Sequence, residues 1–174
     1  SLREFLQKHT SKKNGFCFNN KTNRYIKALV PMHVFGHPCE IQELQKLANE
    51  YNLVLIEDAA ESLGSFYKKK HLGTFGEIGI LSFNGNKIVT SGVGGAVITN
   101  KKNLGDHASH LSTTAKVSHK WDYVHDMLGY NYRLANINAT LGISQLKKLS
   151  KYLKRKRQEL SRRYKNNFVI DFIK

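Results

Sequence analysis

Cysteine, proline and long apolar stretches are all scarce in this sequence of 174 residues. The two cysteines, Cys17 and Cys39, are too few for a disulfide framework and fit a reducing compartment. No apolar run approaches the roughly 20 residues that a membrane-spanning helix requires, and the first residues lack the layout of a signal peptide. These absences argue against a disulfide-stabilised secreted domain and a membrane protein, and they predict a soluble cytoplasmic protein.

Acidic residues are scarce as well. Aspartate and glutamate number 13 against 28 lysines and arginines, so the formal net charge is +15. Many basic residues fall between Gln145 and Lys165, where leucines recur at helical spacing and predict an amphipathic helix with a wide basic face. A solvated face, or one that contacts a further segment, is the favoured interpretation. Nucleic-acid binding and membrane-surface binding are the alternatives, although the stacking aromatics of a nucleic-acid module are not evident.

The apolar residues that are present follow an alternating pattern of helix and strand. The hydrophobic fraction of 40% allows one domain with a core. Residues 39–52, "CEIQELQKLANEYN", predict a helix, and "LVLIEDAA" (53–60) follows at once as an apolar strand. A helix that leads into a fully apolar strand is typical of an α/β sheet buried on both faces. We therefore predict an α/β fold.

The remaining segments complete this outline. Further strands are predicted at 15–20, 24–34, 78–83 and 94–100, a polar hairpin or loop at 64–77, a short helix at 101–111, a long loop at 112–135 and helix from 136 to near the end. The first residues resemble the end of a helix, and "NFVIDFIK" (167–174) resembles a strand without a partner. We therefore expect an internal piece of a longer chain.

Carboxylates collect where the apolar strand ends. Asp58 closes the strand and Glu61 follows one short turn later, at the edge where open α/β sheets bind ligands. A helix cap or a structural ion pair explains this pair of residues as well. The segment "HVFGHPCE" adds four possible metal ligands whose spacing matches no zinc pattern, namely His33, His37, Cys39 and Glu40. We therefore predict no metal site.

One lysine occupies a special position. Lys87 lies in "SFNGNKIVTSGVGG" (82–95), where a strand ends and a loop of small and polar residues begins. Glycines and hydroxyls of this kind let a backbone approach a phosphate, and a lysine in a desolvated pocket suits Schiff-base chemistry with a carbonyl. Together with the upstream Asp58, these are the parts that a pyridoxal-phosphate enzyme needs.

Two long stretches carry a family resemblance. "IEDAAESLGSFYKKKHLGTFGEIGILSFNGNKIVTSGVGGAVITN" (56–100) and "HLSTTAKVSHKWDYVHDMLGYNYRLANINATLGISQL" (110–146) resemble the sugar aminotransferases of the DegT/DnrJ/EryC1/StrS family. "FNGNK", "EDAAESLG" and "YVHDMLGYNYR" are most similar to the branch that aminates UDP-linked 4-keto-6-deoxy-N-acetylhexosamines, as in bacillosamine and legionaminic acid pathways. The resemblance implies the large domain of a fold-type I aminotransferase, with a mixed, mostly parallel sheet flanked by helices.

The resemblance also implies the role of each candidate residue. Lys87 would link covalently to pyridoxal 5'-phosphate and move the proton, and Asp58 would pair with the pyridine nitrogen. Ser82 would hold the cofactor phosphate, and Asn131, in "GYNYR", would reach the partner subunit's phosphate across a dimer interface. Glu61 falls near the cofactor's phenolic oxygen, where the family often has glutamine or histidine. A carboxylate there would have to be protonated or bonded through water.

The function implied is transamination for cell-surface polysaccharide or glycan synthesis, with glutamate as amino donor and a homodimer as the working form. Residues 1–135 would be the central part of the cofactor-binding domain, and 136–174 a long basic helix that leads to a small domain. The family's N-terminal segment and most of its small domain are missing, so activity of the chain alone stays open. A non-catalytic family member and a basic nucleic-acid-binding module are the alternatives. The dehydratase members have histidine in place of Lys87, which argues against a dehydratase.

Overall fold

The N-terminal part of the chain forms a helix and a small antiparallel sheet. The computed structural model describes residues 1–167, with the side chains of residues 1–162. Helix α1 (Leu2–His9) begins with a capping box in which the Ser1 hydroxyl accepts a hydrogen bond from the Glu4 N–H, 3.3 Å away. Strands β1 (Thr10–Lys13), β2 (Phe16–Asn19) and β3 (Arg24–Ile26) follow in that order. The described residues thus begin with a helix that leads directly into an antiparallel sheet.

A second, mixed sheet forms the centre of the fold. After β3 come β4 (Ala28–Leu29), helix α2 (Ile41–Glu50), β5 (Val54–Asp58), the hairpin β6 (Phe66–Tyr67) and β7 (Lys70–His71), β8 (Ile78–Ser82) and β9 (Gly95–Ile98). The sheet order is β4-β5-β8-β9, in which β5 is parallel to β4 and β8 while β9 is antiparallel to β8. Both the helix at 39–52 and the mixed, mostly parallel sheet are therefore confirmed.

The segment 24–34 was predicted as one strand and is divided between the two sheets. β3 pairs with β2, whereas β4 pairs with β5 in the central sheet. This change of sheet brings the end of the segment beside Asp58, whose N–H donates to the Pro31 carbonyl at 2.9 Å. The residues that follow β4 therefore lie at the carboxyl end of β5, where the candidate site is expected.

The core lies on one face of the central sheet. Side chains from α1, β2, α2 and β5 form a buried cluster of Leu6, Cys17, Ile41, Leu47, Ala48, Leu53 and Leu55. On the opposite face Ile80 and Val97 are 37% and 52% exposed. Among the described residues the burial expected on both faces is therefore reached on the first face, and on the second face Ile80 and Val97 line a cavity together with residues 105, 108 and 109.

The C-terminal part is helical but interrupted. Helix α3 (Lys102–Ser112) confirms the short helix, and a long loop follows to residue 135. Helices α4 (Asn136–Leu146) and α5 (Leu149–Asn167) are separated by a turn at Lys147 and Lys148, so the helical segment expected from 136 is present but divided in two. The predicted boundary at 135/136 stays a prediction, and the strand at 167–174 falls almost wholly outside the described residues. Among residues 1–167, none of the helices has the length and apolarity to cross a membrane.

Candidate cofactor site

Lys87 is presented by a loop that is closed at its base. The loop leaves β8 after Ser82 and returns into β9 at Gly95. The Phe83 N–H donates to the Gly94 carbonyl at 2.9 Å, and the Ser91 N–H donates to the Phe83 carbonyl at 3.0 Å. Gly94 has φ +93°, and a Cβ at that position would come within 2.7 Å of Leu134. The glycine-rich sequence therefore permits a tight neck that fixes Lys87 beyond the end of the sheet.

The Lys87 amine contacts a carboxylate. Its Nζ lies 3.2 Å from Oε1 of Glu61, and the two side chains are 18% and 33% exposed. Oε2 of Glu61 accepts a hydrogen bond from the Phe35 N–H at 2.7 Å. The Phe35 N–H, and then the Lys87 amine, lower the pKa of the Glu61 carboxyl below its ordinary value. Glu61 is therefore ionised at neutral pH in this arrangement, and its state beside a cofactor oxygen stays a prediction.

A cleft of about 320 Å³ surrounds this ion pair. Its size is near the lower end of the range for ligand pockets, roughly 300–1,000 Å³. The sequence-predicted residues Glu61, Ser82 and Lys87 line it together. Helix α5 closes another side with Lys156 and Arg157, and the Arg157 guanidinium also donates to the Gly64 carbonyl at 3.0 Å. The structure thus brings three of the five predicted residues into one cleft, with two basic side chains beside them.

Asp58 lies at the end of β5 but makes a local contact. Its Oδ1 accepts a hydrogen bond from the Ala60 N–H at 3.1 Å, and its carbonyl accepts one from the His33 N–H at 3.0 Å. The first contact is a local turn interaction, which differs from the helix cap and the ion pair that are the alternatives for this residue. Asp58 does not line the 320 Å³ cleft. Its pairing with a cofactor nitrogen therefore stays a prediction.

Asn131 lies apart from the cleft. It is exposed on the long loop and forms an isolated antiparallel bridge with Thr113. The rings of its neighbours Tyr130 and Tyr132 stack, with centroids 5.3 Å apart. Asn131 is not among the residues that line the cleft with Lys87. A role across a dimer interface agrees with this exposure and stays a prediction.

Sequence reasoning missed the buried carboxylate beneath the site, Glu57. This fully buried side chain accepts hydrogen bonds from the N–H groups of Gly73, Phe75 and Gly76 at 2.8, 2.5 and 2.7 Å. Its Oε2 also lies 3.0 Å from Nε2 of the fully buried His33. The alternation of β5 could have found it, because Glu57 must share the core face with Leu55.

The four residues considered as metal ligands do not gather at a common point. His33 contacts Glu57 through Nε2, and its Nδ1 lies 3.3 Å from both the N and the Sγ of Cys39. Burial raises the pKa of the Cys39 thiol. Within residues 1–162 the structure contains no group of three histidine, cysteine, aspartate or glutamate side chains that could hold a metal ion. His33 and Cys39 therefore support the turn beside Glu61.

The donor set of the cleft fits a phosphate-bearing aldehyde. An amine, a hydroxyl and a carboxylate from Lys87, Ser82 and Glu61 line the same space, and two cationic side chains of α5 add positive charge there. An amine is the group that reacts with an aldehyde, and hydroxyls with cations are groups that hold phosphate. The residues present are thus chemically compatible with pyridoxal phosphate.

Comparison with known proteins supports the resemblance found in the sequence. The model of the DegT/DnrJ/EryC1/StrS aminotransferase family matches residues 18–169. GDP-perosamine synthase of Escherichia coli O157:H7 is 45% identical over 147 residues, which are 84% of this chain and 40% of that protein. The Bacillus subtilis (strain 168) protein EpsN, whose name describes a pyridoxal phosphate-dependent aminotransferase, is 42% identical over 140 residues, 80% of this chain and 36% of that protein.

A third relative belongs to the UDP-sugar branch. The UDP-4-amino-4,6-dideoxy-N-acetyl-beta-L-altrosamine transaminase of Campylobacter jejuni is 39% identical over 149 residues, 85% of this chain and 39% of that protein. Among solved structures, Helicobacter pylori PseC, an aminotransferase involved in the biosynthesis of pseudoaminic acid, matches with a TM-score of 0.69 and 32% identity. That match covers 71% of this chain and 34% of PseC. The chain thus spans 36% to 40% of the length of these three curated relatives.

Proposed function

We propose the following function for this chain, which belongs to the DegT/DnrJ/EryC1/StrS aminotransferase family. It forms the lysine-bearing part of a pyridoxal-phosphate-dependent enzyme that transfers an amino group to the keto group of a nucleotide-linked deoxysugar. The observation that carries the proposal is the contact between Lys87 and Glu61 inside a cleft that Ser82 also lines. An amine is the group that condenses with an aldehyde or a ketone, and a carboxylate within hydrogen-bond distance can accept the proton that this amine must lose.

Each candidate residue has a different role at the cofactor in this proposal. When bound, pyridoxal phosphate supplies an aldehyde that exchanges amines and a ring that withdraws electrons from the reacting carbon. Lys87 would attach to it, and Asp58 would face the ring nitrogen from the end of β5. Ser82 would bind the phosphate, and Asn131 would bind the phosphate of a partner subunit.

Glu61 has a role that follows from its contacts. An ammonium group cannot attack a carbonyl, so Lys87 must first lose a proton. The Glu61 carboxylate lies 3.2 Å from Nζ and is within reach to hold that proton. The Phe35 N–H fixes the other oxygen of this carboxylate. We therefore assign Glu61 to orienting the Lys87 amine and to holding its proton.

The substrate class is inferred from the relatives. GDP-perosamine synthase and the altrosamine transaminase are both named for amino sugars on nucleoside diphosphates. A 4-keto-6-deoxyhexose linked to a nucleoside diphosphate is the class that fits both names, and the UDP-linked N-acetylated form is the specific substrate proposed here. Glutamate as donor, a homodimer, a cytoplasmic location and a role in surface polysaccharide synthesis belong to the same proposal.

The basic residues of α5 are better explained by binding of a phosphate-bearing ligand at the site than by binding of nucleic acid. Lys156 and Arg157 line the Lys87 cleft. Positive charge at that place suits a ligand that carries phosphate groups. This placement supports the nucleotide-sugar proposal over the nucleic-acid alternative.

Chemical trapping tests the proposal. The chain is mixed with pyridoxal phosphate, its visible spectrum is recorded, and borohydride then fixes any imine to the lysine that carries it. We expect mass spectrometry to find the label at Lys87 and to find none in Lys87→Ala.

Lys101→Ala provides a matched control, because Lys101 also pairs with a carboxylate, that of Glu77, but is 56% exposed. This variant should be labelled at Lys87 as the unchanged chain is. Equal labelling of surface lysines and Lys87, or labelling that persists in Lys87→Ala at other positions to the same extent, would overturn the assignment.

A further inference from the structure

The turn between β4 and α2 contains a strained aromatic residue. Phe35 has φ 52° and ψ 24°, the left-handed conformation that residues with a side chain rarely adopt. It is also 90% exposed, although its side chain is a large apolar ring. Neither feature helps the fold, because left-handed backbone and exposed apolar surface both disfavour the folded state. Strain of this kind at a candidate site points to a functional use of the residue.

The surrounding residues hold the turn in this conformation. On one side His33 is fully buried against Glu57. On the other side the Phe35 N–H donates to Glu61 at 2.7 Å. Gly36 has φ +75°, and a Cβ there would lie 2.7 Å from the Glu61 carbonyl oxygen. The turn is thus pressed against the turn that carries Glu61 and is held from both sides.

Phe35 lies at the mouth of the Lys87 cleft. It lines the same space as Glu61 and Lys87. Exposure rises along this series, from 18% for the Lys87 side chain and 33% for that of Glu61 to 90% for Phe35. The amine that reacts with a carbonyl is therefore deepest, and the aromatic ring is outermost. A ligand that enters after the cofactor would pass the ring.

We propose that the ring of Phe35 packs against the hexose ring of the nucleotide sugar and is a specificity-determining residue for the sugar. This inference rests on the proposed function. A deoxyhexose has an apolar C–H face, and an aromatic ring offers a flat apolar surface to it. Phe35 carries no hydrogen-bonding group in its side chain, so it favours such a face over a hydrated one. Burial of the exposed ring on binding compensates the strain of the turn.

Binding measurements on matched ligands test the inference. The dissociation constants of UDP-N-acetylglucosamine and GDP-mannose are measured by calorimetry on the chain, each beside that of UDP or GDP alone. Phe35→Gly should weaken binding of the sugar nucleotides about tenfold, the effect of losing the burial of one aromatic side chain. It should leave UDP and GDP binding unchanged. Phe35→Tyr should retain the affinity of the unchanged chain.

For the same variant we expect weaker sugar binding without any loss of thermal stability. Glycine adopts φ 52° freely, so Phe35→Gly should not lower the thermal midpoint of unfolding. Lys69→Gly is the control, because Lys69 is a non-glycine residue at φ 68° in the hairpin turn between β6 and β7, outside the cleft. It should leave all four dissociation constants unchanged.

Several outcomes would overturn the inference. Equal weakening of sugar nucleotides and free nucleotides in Phe35→Gly would do so, and so would no weakening at all. A change in sedimentation behaviour with unaltered sugar binding would assign the ring to a contact between chains instead. If borohydride still traps pyridoxal phosphate at Lys87 in these cases, the proposed function stands while the role of Phe35 falls. If it does not, the proposed function fails by its own test.

Discussion

Two regions that the family resemblance connects are built in different ways. The Lys87 cleft is formed by Phe35, Glu61, Ser82 and Lys87 together with α5, and its parts are joined by hydrogen bonds and an ion pair within the chain. The aromatic loop, residues 121–132, presents its large side chains to solvent, and Trp121, Tyr123 and Tyr132 are 75%, 80% and 76% exposed.

The difference teaches where each region obtains its stability. The cleft rests on a buried carboxylate, Glu57, that ties four groups together at the end of β5. The aromatic loop is bonded to the segment before it through its backbone and through an ion pair between Asp126 and His110, but its large rings stay in solvent. An organised cleft beside exposed rings is the arrangement expected when one part of a site is complete within the chain and the other is completed by contact.

Removal of Glu57 should cause the largest loss in the free energy of unfolding, because the cleft rests on this residue. Glu57→Ala leaves three backbone N–H groups, those of Gly73, Phe75 and Gly76, without their acceptor and also removes the partner of Nε2 of His33. Loss of a buried ionic partner lowers the free energy of unfolding by about 3 kcal/mol or more. Urea denaturation measures it. Glu57→Gln, which keeps one acceptor oxygen, should lose less.

The matched control for Glu57 is a carboxylate in a surface ion pair. Glu77 pairs with Lys101 and its side chain is 36% exposed. Glu77→Ala should therefore lower the free energy of unfolding by less than about 1 kcal/mol. Equal losses in the two variants would mean that the cleft does not depend on its buried support, and the contrast between the two regions would disappear.

The sequence predicts the elements of this fold well where the pattern is local. The helical spacing in 39–52 and the apolar runs at 53–58 and 78–83 correspond to α2, β5 and β8. It predicts poorly where tertiary contacts decide. The segment 24–34 is divided between two sheets. Helices α4 and α5 are separated at Lys147 and Lys148, where the sequence has no glycine or proline that would indicate a break.

The candidate site shows the same limit. The joined motifs around Lys87 and Glu61 indicate which residues matter, and the structure brings both into one cleft. The alternation of β5 places Glu57 on the core face, but the importance of Glu57 and of Phe35 for the site could not be ranked from the sequence. A carboxylate in a strand is normally exposed, so its burial depends on N–H groups 16 to 19 residues away. The left-handed turn at Phe35 depends on contacts with Glu61 that no local pattern encodes.

The contribution of the Lys87 cleft to stability should depend on pH through the charge of Glu61. The pKa of Glu61 is lowered in the folded chain, so its contacts stabilise the fold at pH values above the ordinary glutamate pKa, about 4.3. This stabilisation is lost as pH falls through the lowered folded-state pKa. Glu61→Gln should therefore be less stable than the unchanged chain at pH 7, and the difference should vanish at lower pH.

Denaturation of both proteins at a series of pH values measures this difference. Glu40→Gln is the control, because Glu40 precedes α2 without a side-chain capping bond to that helix. That substitution should produce no such difference. A gap between Glu61→Gln and the unchanged chain that persists unaltered to pH 3 would mean that the carboxylate acts through packing and not through its charge.

The smallest effect on stability is expected in the aromatic loop. Tyr132 stacks on Tyr130 with an interplanar angle of 11°, but its ring is largely in solvent. An exposed side chain of this kind contributes little, so Tyr132→Ala should lower the free energy of unfolding by about 0.5 kcal/mol or less. If the loop is completed by contact with a second chain, the same substitution should weaken self-association, because aromatic residues dominate such interfaces. Urea denaturation and analytical ultracentrifugation of the variant measure the two effects. A large loss of stability without any change in association would place the loop with the cleft, as a region that the chain completes by itself.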